Sequence, residues 1–306
     1  MNQAFAAAGL TVFERGWLSS NNVLFGAADA PPVLVDSGHC NHAEQTVALV
    51  AHALQGRPLA RVVNTHLHSD HCGGNAALHS RYGCEITIPA GEADKVARWD
   101  EDALTYKLTG QSCPRFSHAG VMSAGDQIEL GAMPWHVMAS PGHDPESMVL
   151  YQPEAQILIS ADALWENGFG VVFPELEGES GFADVRATLE LIAALPVRWV
   201  IPGHGAPFQG TAEALERAHR KLDAFIADPA RHARHAAKVL IKYHLMECDR
   251  MPLQALIQWL ADTRYFVLIH GLYFPAIPVR QWALNLLEEL LVAKALSRSG
   301  DTIENV

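Results

Sequence analysis

The sequence predicts an α/β layered domain over residues 1–210, followed by a helical domain over residues 211–306. Up to about residue 210, short β-branched and apolar runs alternate with segments whose apolar residues recur at helical spacing. After that point the segments are amphipathic and helical in pattern. Strands interleaved with helices are typical of a layered α/β domain.

The strands predicted in the first domain are "TVFERGW", "NNVLFGA", "PVLVDSG", "ARVVNTH", "EITIPA", "DQIELG", "WHVMASPGH", "AQILISAD" and "RWVIPGHG". The segments "HAEQTVALVAHALQ", "NAALHSRYG" and "FADVRATLELIAAL" predict helices between them.

In the second domain, "TAEALERAHRKLDAFIAD" predicts a helix that ends at Asp228-Pro229, because proline cannot continue a hydrogen-bonded helix. Three further amphipathic segments follow, and the last residues, "SRSGDTIENV", form either a short hairpin or a tail. The second domain is therefore either a plain helical cap or a winged-helix-like domain.

Composition excludes several classes of protein. Among the 306 residues 49% are hydrophobic and 18% are charged, which is enough to build a core. No apolar run approaches the ~18 residues of a membrane-spanning helix, and no basic region precedes the first apolar patch as in a signal peptide. The five cysteines are too scattered for a disulfide framework, so we expect a cytoplasmic protein without a membrane partner.

Charge disfavours nucleic acid as a partner. The net charge is −12, and the acidic excess lies in residues 1–210, whereas residues 211–306 are close to neutral. Binding to nucleic acid depends on neutralising phosphates with lysine and arginine.

The stretch "THLHSDHCGGN" carries the strongest chemical signal. It places His66, His68, Asp70 and His71 in one turn after the strand "ARVVNTH". Imidazole nitrogen and carboxylate oxygen are ligands of divalent metals such as Zn²⁺. The alternative interpretation of this stretch is a solvated histidine-rich loop.

Three other segments favour the metal site. His143 in "SPGHD", Asp162 in "ISADA" and His204 in "PGHGA" each follow a predicted strand. Because α/β sheets place their functional residues where strands end, we expect all three near the histidine-rich turn.

The series HLHSDH, PGH, AD and PGHG resembles the metallo-β-lactamase fold superfamily of metallohydrolases, over roughly residues 10–210. The resemblance implies an αββα sandwich with the site along one edge of two sheets. It also implies two divalent cations, with zinc expected and manganese or iron as alternatives. One cation would be bound by His66, His68 and His143, the other by Asp70, His71 and His204, with Asp162 between them.

Two such cations lie ~3.5–4 Å apart in related sites and supply a hydroxide nucleophile at neutral pH. The resemblance gives Asp70 the further role of orienting that nucleophile and passing on a proton. It also makes Asp36, in "VLVDSG", a candidate partner of a ligating histidine, with a simple turn aspartate as the alternative.

Several branches of the superfamily fit less well. His68 stands where flavo-di-iron proteins have glutamate, and Asp162 stands where true β-lactamases have cysteine or serine. Trp165 replaces a tyrosine of many lactonases, and "DALWENGFG" lacks the lysines and arginines of glutathione thioesterases. The loop residues Trp165, Phe169 and Phe173 form either a wall facing the substrate or part of the core.

We therefore predict a dinuclear metal-dependent hydrolase of a small ester-like molecule, a thioester or a lactone. The alternatives are an endoribonuclease that binds RNA through its C-terminal domain, and a binding protein without catalytic activity. The apolar C-terminal helices could also serve a homodimer.

Overall fold

Short valine-, leucine- and isoleucine-rich runs favour extended backbone, and six of them form the first sheet. The computed structural model describes residues 2–306, and side chains from residue 5 onward. In spatial order the strands are β1 (Leu10–Phe13), β2 (Asn22–Phe25), β3 (Val33–Val35), β4 (Arg61–Val63), β5 (Glu85–Pro89) and β6 (Gly120–Met122). The pairs β1–β2 and β2–β3 are antiparallel, whereas β3 to β6 run parallel.

The second sheet has five strands. They are β7 (Gln127–Leu130), β8 (Met133–Ala139), β9 (Met148–Gln152), β10 (Ile157–Ala161) and β11 (Trp199–Pro202). Their spatial order is β11-β10-β9-β8-β7, with β10 and β11 parallel and the other pairs antiparallel. Strands β8, β10 and β11 therefore run in one direction and end at the same edge.

The two sheets pack face to face because the inner faces of their strands are apolar, and the central strands β3, β9 and β10 are buried on both sides. In β3, Val33 and Val35 face the second sheet, while Leu34 faces the helices outside. In β10, Ile159 faces the first sheet and Leu158 faces outward. Continuous apolar runs of this kind are typical of strands buried on both faces.

Helices cover both outer faces of the sandwich. The first nine are α1 (Asn2–Ala7), α2 (Ala43–Leu54), α3 (Ser69–Cys72), α4 (Asn75–Tyr82), α5 (Ala93–Arg98), α6 (Tyr106–Thr109), α7 (Phe173–Leu176), α8 (Gly181–Ala193) and α9 (Thr211–Ala227). Helices α2 and α4 pack on the first sheet, and α8 and α9 pack on the second. The expected αββα architecture is confirmed.

The rest of the chain forms a second hydrophobic core. Its elements are α10 (Pro229–Cys248), β12 (Arg250–Pro252), α11 (Leu253–Asp262), α12 (Arg264–Tyr273), α13 (Val279–Val292), β13 (Leu296–Ser299) and β14 (Thr302–Asn305). The last two strands form a hairpin, and β12 pairs with β14. The C-terminal region thus combines four helices with a small three-stranded sheet, and the winged-helix-like alternative stays a prediction.

The packing refines the division of the chain. The sequence placed the boundary after residue 210, but α9 packs against α8 in the core of the second sheet. The second core begins at Ala233 on α10, after the α9–α10 junction at Asp228-Pro229. In residues 2–306, no helix combines the length and apolarity needed to cross a membrane. The cytoplasmic location and the homodimer stay predictions.

Candidate metal centre

The predicted site residues meet at one edge of the sandwich because each follows a strand that ends there. His66 comes after β4, His143 after β8, Asp162 after β10 and His204 after β11. The backbone at Ala161 has a φ of +45°, and the register of β10 shifts between Ile159 and Ala161. This irregular strand end turns the chain toward the site.

Three histidines, which we call the histidine group, point one ring nitrogen each at a common centre. His66 Nε2 lies 3.1 Å from His68 Nδ1, which lies 2.8 Å from His143 Nε2. One N–H···N hydrogen bond can join two of these neutral rings, but it leaves the third nitrogen facing them without a donor. The three nitrogens have the geometry to hold one cation.

The other ring nitrogens of the histidine group have partners of their own. His66 Nδ1 lies 3.2 Å from Thr65 Oγ1, and His143 Nδ1 lies 2.6 Å from the carbonyl oxygen of Val171. A hydrogen bond donated at Nδ1 leaves Nε2 as a free lone pair, which is the tautomer a metal requires.

Asp70, His71, Asp162 and His204, which we call the mixed group, lie beside the histidine group. His204 Nε2 lies 3.0 Å from Asp70 Oδ2, and His71 Nε2 lies 3.5 Å from Asp162 Oδ1. All four side chains are buried, and their ligand atoms lie within 4.8 Å of one another. They have the geometry to hold a second cation.

Asp162 stands between the two groups. Its Oδ2 lies 3.3 Å from His143 Nε2, while its Oδ1 faces His71. The backbone beside it must be glycine, because a Cβ on Gly203 would overlap Asp162 Oδ1. One carboxylate thus presents an oxygen to each group.

Asp36 contacts Nδ1 of His71, the ring nitrogen opposite the one that faces Asp162. Its Oδ2 lies 2.8 Å from His71 Nδ1 and accepts a hydrogen bond of 2.8 Å from Thr65 Oγ1, while its Oδ1 accepts one from Thr65 N. Asp36 also has the turn conformation of the alternative hypothesis, with a φ of +56°. The two roles coincide, because the left-handed turn aims the carboxylate at His71.

Burial sets the charges of the site. Burial lowers the pKa of both His68 and His143 to about 4, so these rings are neutral. Burial raises the pKa of Asp70, but His71 and the hydrogen bond with His204 more than reverse this and bring the pKa to about 2. Burial lowers the pKa of His71, but Asp36, Asp162 and Asp70 raise it well above its usual value.

The site therefore fits divalent cations. In the part of the chain that the structure describes, His71 Nε2 and His204 Nδ1 are buried without a hydrogen-bond partner. Buried carboxylates without lysine or arginine beside them are costly unless a cation compensates them. The nitrogen and oxygen donors suit zinc, manganese and iron alike.

A cavity of about 610 Å³ opens from the site and runs between the two domains. Trp165 and Phe173 line it, as the hypothesis of a substrate-facing wall requires, and Trp165 Nε1 donates a 3.2 Å hydrogen bond to Asp162 Oδ1. Phe169 also lines the cavity, although it is almost fully buried and packs against Phe225. The loop therefore belongs both to the wall and to the core.

Sequence reasoning missed two contributors to the cavity. Trp17 stacks on His204 with 5.3 Å between ring centroids. Tyr243 of α10 reaches the histidine-rich turn, where its hydroxyl lies 2.9 Å from Ser69 Oγ. Neither residue stands in a motif, so no local signal could have identified it.

Comparisons with known proteins agree with this geometry. A family model described as the metallo-beta-lactamase superfamily matches residues 15–204. The hydroxyacylglutathione hydrolase of Hyphomonas neptunium is 31% identical over 115 residues, which are 38% of either chain. That of Dechloromonas aromatica is 33% identical over 141 residues, covering 46% of this chain and 43% of that protein. The matches thus span less than half the length of these two curated relatives.

A solved structure extends the likeness to the C-terminal domain. A metallo-beta-lactamase family protein from Thermus thermophilus aligns with a TM-score of 0.57 at 18% identity, over 98% of this chain and 99% of that one. At this identity the likeness concerns the fold alone, and it includes both domains.

Proposed function

The chain belongs to the metallo-beta-lactamase superfamily, and on that premise we propose that it is a dinuclear metal-dependent hydrolase of a small ester-like substrate, a thioester or a lactone. Zinc is the cation that we propose first, because nitrogen-rich sites of this kind suit it. The residues that would hold the two cations are His66, His68 and His143 for one, and Asp70, His71 and His204 for the other, with Asp162 shared.

The position of Asp162 is the single observation that carries this proposal. A carboxylate with one oxygen toward three neutral imidazoles and the other toward a second cluster has the form of a shared ligand. Two bound cations would polarise the scissile carbonyl group and lower the pKa of a water molecule toward neutrality.

The chain's own side chains supply the remaining functions. The Asp70 carboxylate lines the cavity and can take a proton from the attacking water and return it to the leaving group. Trp17, Trp165 and Phe173 surround the site with aromatic surface, which binds an apolar acyl or ring portion and limits access of bulk water.

The curated relatives support the thioester in particular. They are named hydroxyacylglutathione hydrolases, and a hydroxyacylglutathione is a thioester. The loop after Asp162 carries no basic residue that would bind glutathione. We therefore propose thioesters as a class rather than glutathione thioesters.

The test combines metal analysis with a substrate panel. We expect two metal ions per chain, and hydrolysis of thioesters or lactones that is lost on chelation and regained with Zn²⁺. His66→Ala should abolish activity and lower the metal content. An unchanged metal content and rate in this variant would refute the site, while inactivity of the metal-loaded wild type on every thioester and lactone would refute the reaction.

One observation favours the endoribonuclease as a second candidate. The small sheet of β12, β14 and β13 behind four helices resembles the arrangement of a winged-helix domain, a common nucleic-acid-binding fold. The charge opposes it, because α13 presents Glu288 and Glu289 and the whole chain is acidic. Cleavage of single-stranded RNA without cleavage of esters would favour this candidate, and inertness toward both would favour a binding protein.

A further inference from the structure

Lys221 is a half-buried cation in the wall of the active-site cavity. It lies on α9, and its Nζ donates a 2.8 Å hydrogen bond to the carbonyl oxygen of Phe169, in the loop after Asp162. The Nζ also lies 4.7 Å from the ring centre of Phe169 and 5.7 Å from that of Phe225. Aromatic faces attract a cation but do not neutralise it.

The other two lysines that line the cavity have stronger or more numerous polar partners than Lys221, which has one carbonyl acceptor. Lys238 forms an ion pair of 3.1 Å with Glu289, and Lys242 donates to the carbonyl oxygens of Ala295 and Val306. Lys221 pairs with no carboxylate among the side chains of residues 5–306. Burial lowers the pKa of Lys221 to about 8, so it is still mostly protonated at neutral pH.

A glycine in the loop after Asp162 leaves room for the Lys221 side chain. Gly168 has a φ of +125°, and a Cβ there would lie 2.9 Å from Cδ of Lys221. A side chain at this position would therefore press on the lysine stem. The close approach is a specific feature of the loop, since an exposed lysine would need no such space.

We propose that Lys221 binds a carboxylate carried by the substrate, so that the enzyme selects ester-like molecules with an acidic end. This inference rests on the proposed hydrolase function. An ammonium group has three donors, and the one given to Phe169 leaves two, which match the two oxygens of a carboxylate. Partial desolvation of the ammonium group is unfavourable without an anionic partner, and the substrate would supply that partner.

The cavity also indicates how the two ends of the substrate are separated. Trp165 donates to Asp162 at one edge, and its ring centre lies 5.9 Å from Lys221 Nζ. One indole thus stands between the candidate metal centre and the cation. The ester and the carboxylate must therefore be joined by a short apolar spacer that lies along this ring.

A matched substrate pair tests the proposal. The S-ethyl thioester of suberic acid keeps one free carboxylate, and the S-ethyl thioester of suberamic acid carries a neutral amide there. We expect the zinc-loaded wild type to prefer the acid by about 10- to 100-fold in kcat/KM, as for a charge-assisted hydrogen bond, chiefly through KM. Lys221→Met should lose the preference, Lys221→Arg should retain part of it, and the ion-paired control Lys238→Met should keep it.

A binding measurement keeps this inference separate from the proposed function. Calorimetric titration with suberate should give a Kd at least tenfold lower for the wild type than for Lys221→Met, whereas suberamide, the diamide without a carboxylate, should bind both proteins equally. This result would support the inference even if neither thioester were hydrolysed. Equal affinities of the two proteins for suberate, or an unchanged preference in a folded Lys221→Met, would overturn it and leave the hydrolase proposal standing.

Discussion

The histidine group and the mixed group come from neighbouring strand ends, but carboxylates lie closer to the mixed group. The nearest outside carboxylate of the histidine group, Asp144 Oδ2, is 3.7 Å from His68 Nε2. Neutral oxygens from Thr65 and Val171 orient His66 and His143. A buried carboxylate, Asp36, orients His71. The mixed group also contains two carboxylates of its own, whereas the histidine group contains none.

This difference predicts unequal binding of the two cations. A cation in the mixed group meets nearby negative charge in a buried setting, where electrostatic attraction is strong. A cation in the histidine group depends mainly on three neutral lone pairs and on Asp162. We therefore expect the mixed group to fill first and the histidine group to empty first during dialysis against a chelator.

Asp162→Ala should have the largest effect, because it removes the residue that both groups share. We expect metal content to fall toward zero at both positions, and activity to fall by more than the ~10–100-fold typical of losing an outer partner. Elemental analysis and steady-state kinetics measure both quantities. Asp29→Ala, which removes an exposed carboxylate, is the control, and retention of one full metal equivalent would show that the groups are independent.

Asp36→Ala should come next and should affect mainly the mixed group. Loss of the carboxylate behind His71 should weaken the cation there by ~10–100-fold. Asp36→Asn should be similarly harmful, because the amide would donate to His71 Nδ1 and leave the proton on Nε2. Competition with a chromophoric chelator measures the affinities, and a loss at the histidine group instead would reverse the comparison.

Thr65→Val should have a smaller effect that both groups share. The hydroxyl lies 3.2 Å from His66 Nδ1 and donates to Asp36 Oδ2, so its loss affects an outer partner of each group. One neutral hydrogen bond contributes about 1 kcal/mol, so each affinity should fall several-fold. An effect as large as that of Asp36→Ala would mean that Thr65, rather than the carboxylate, positions His71.

Trp165→Phe should have the smallest effect on the metals. It removes the donor to Asp162 Oδ1 but keeps an aromatic ring in the cavity wall. We expect two metals per chain and a change of less than ~10-fold in kcat/KM, mostly in KM. Loss of metal in this variant would show that the indole N–H is needed to orient Asp162.

Sequence reasoning identified the site because its signals are local. His66, His143, Asp162 and His204 each follow an apolar strand directly, and strand ends can be predicted from residue type. In the first domain the prediction missed two strands, β6 and β9, and in the second it missed β12. The short β6 ("GVM") follows a long irregular stretch, whereas β9 ("MVLYQ") is an apolar run after the turn signal "HDPES" and was predictable.

Helix faces were harder to assign. His232 lies on the amphipathic helix α10, yet it is buried between Phe182 and Phe225 and accepts a hydrogen bond from Val172 N. An amphipathic pattern shows that a helix has an apolar face, but it does not show which partner covers that face. The same ambiguity explains why the sequence places α9 in the second domain, although its apolar face packs in the core of the second sheet.

The sequence by itself determined the layered fold, the seven candidate ligands and the loops that carry them, because strand-forming runs and ligand types are properties of short segments. Only the tertiary structure decided that Asp162 faces both groups and that Thr65 connects their outer partners. It also decided that Lys221, 52 residues after Phe169 in the chain, contacts the loop that follows Asp162. Those contacts depend on how whole sheets and helices pack, and packing is set by burial over the entire molecule rather than by any one segment.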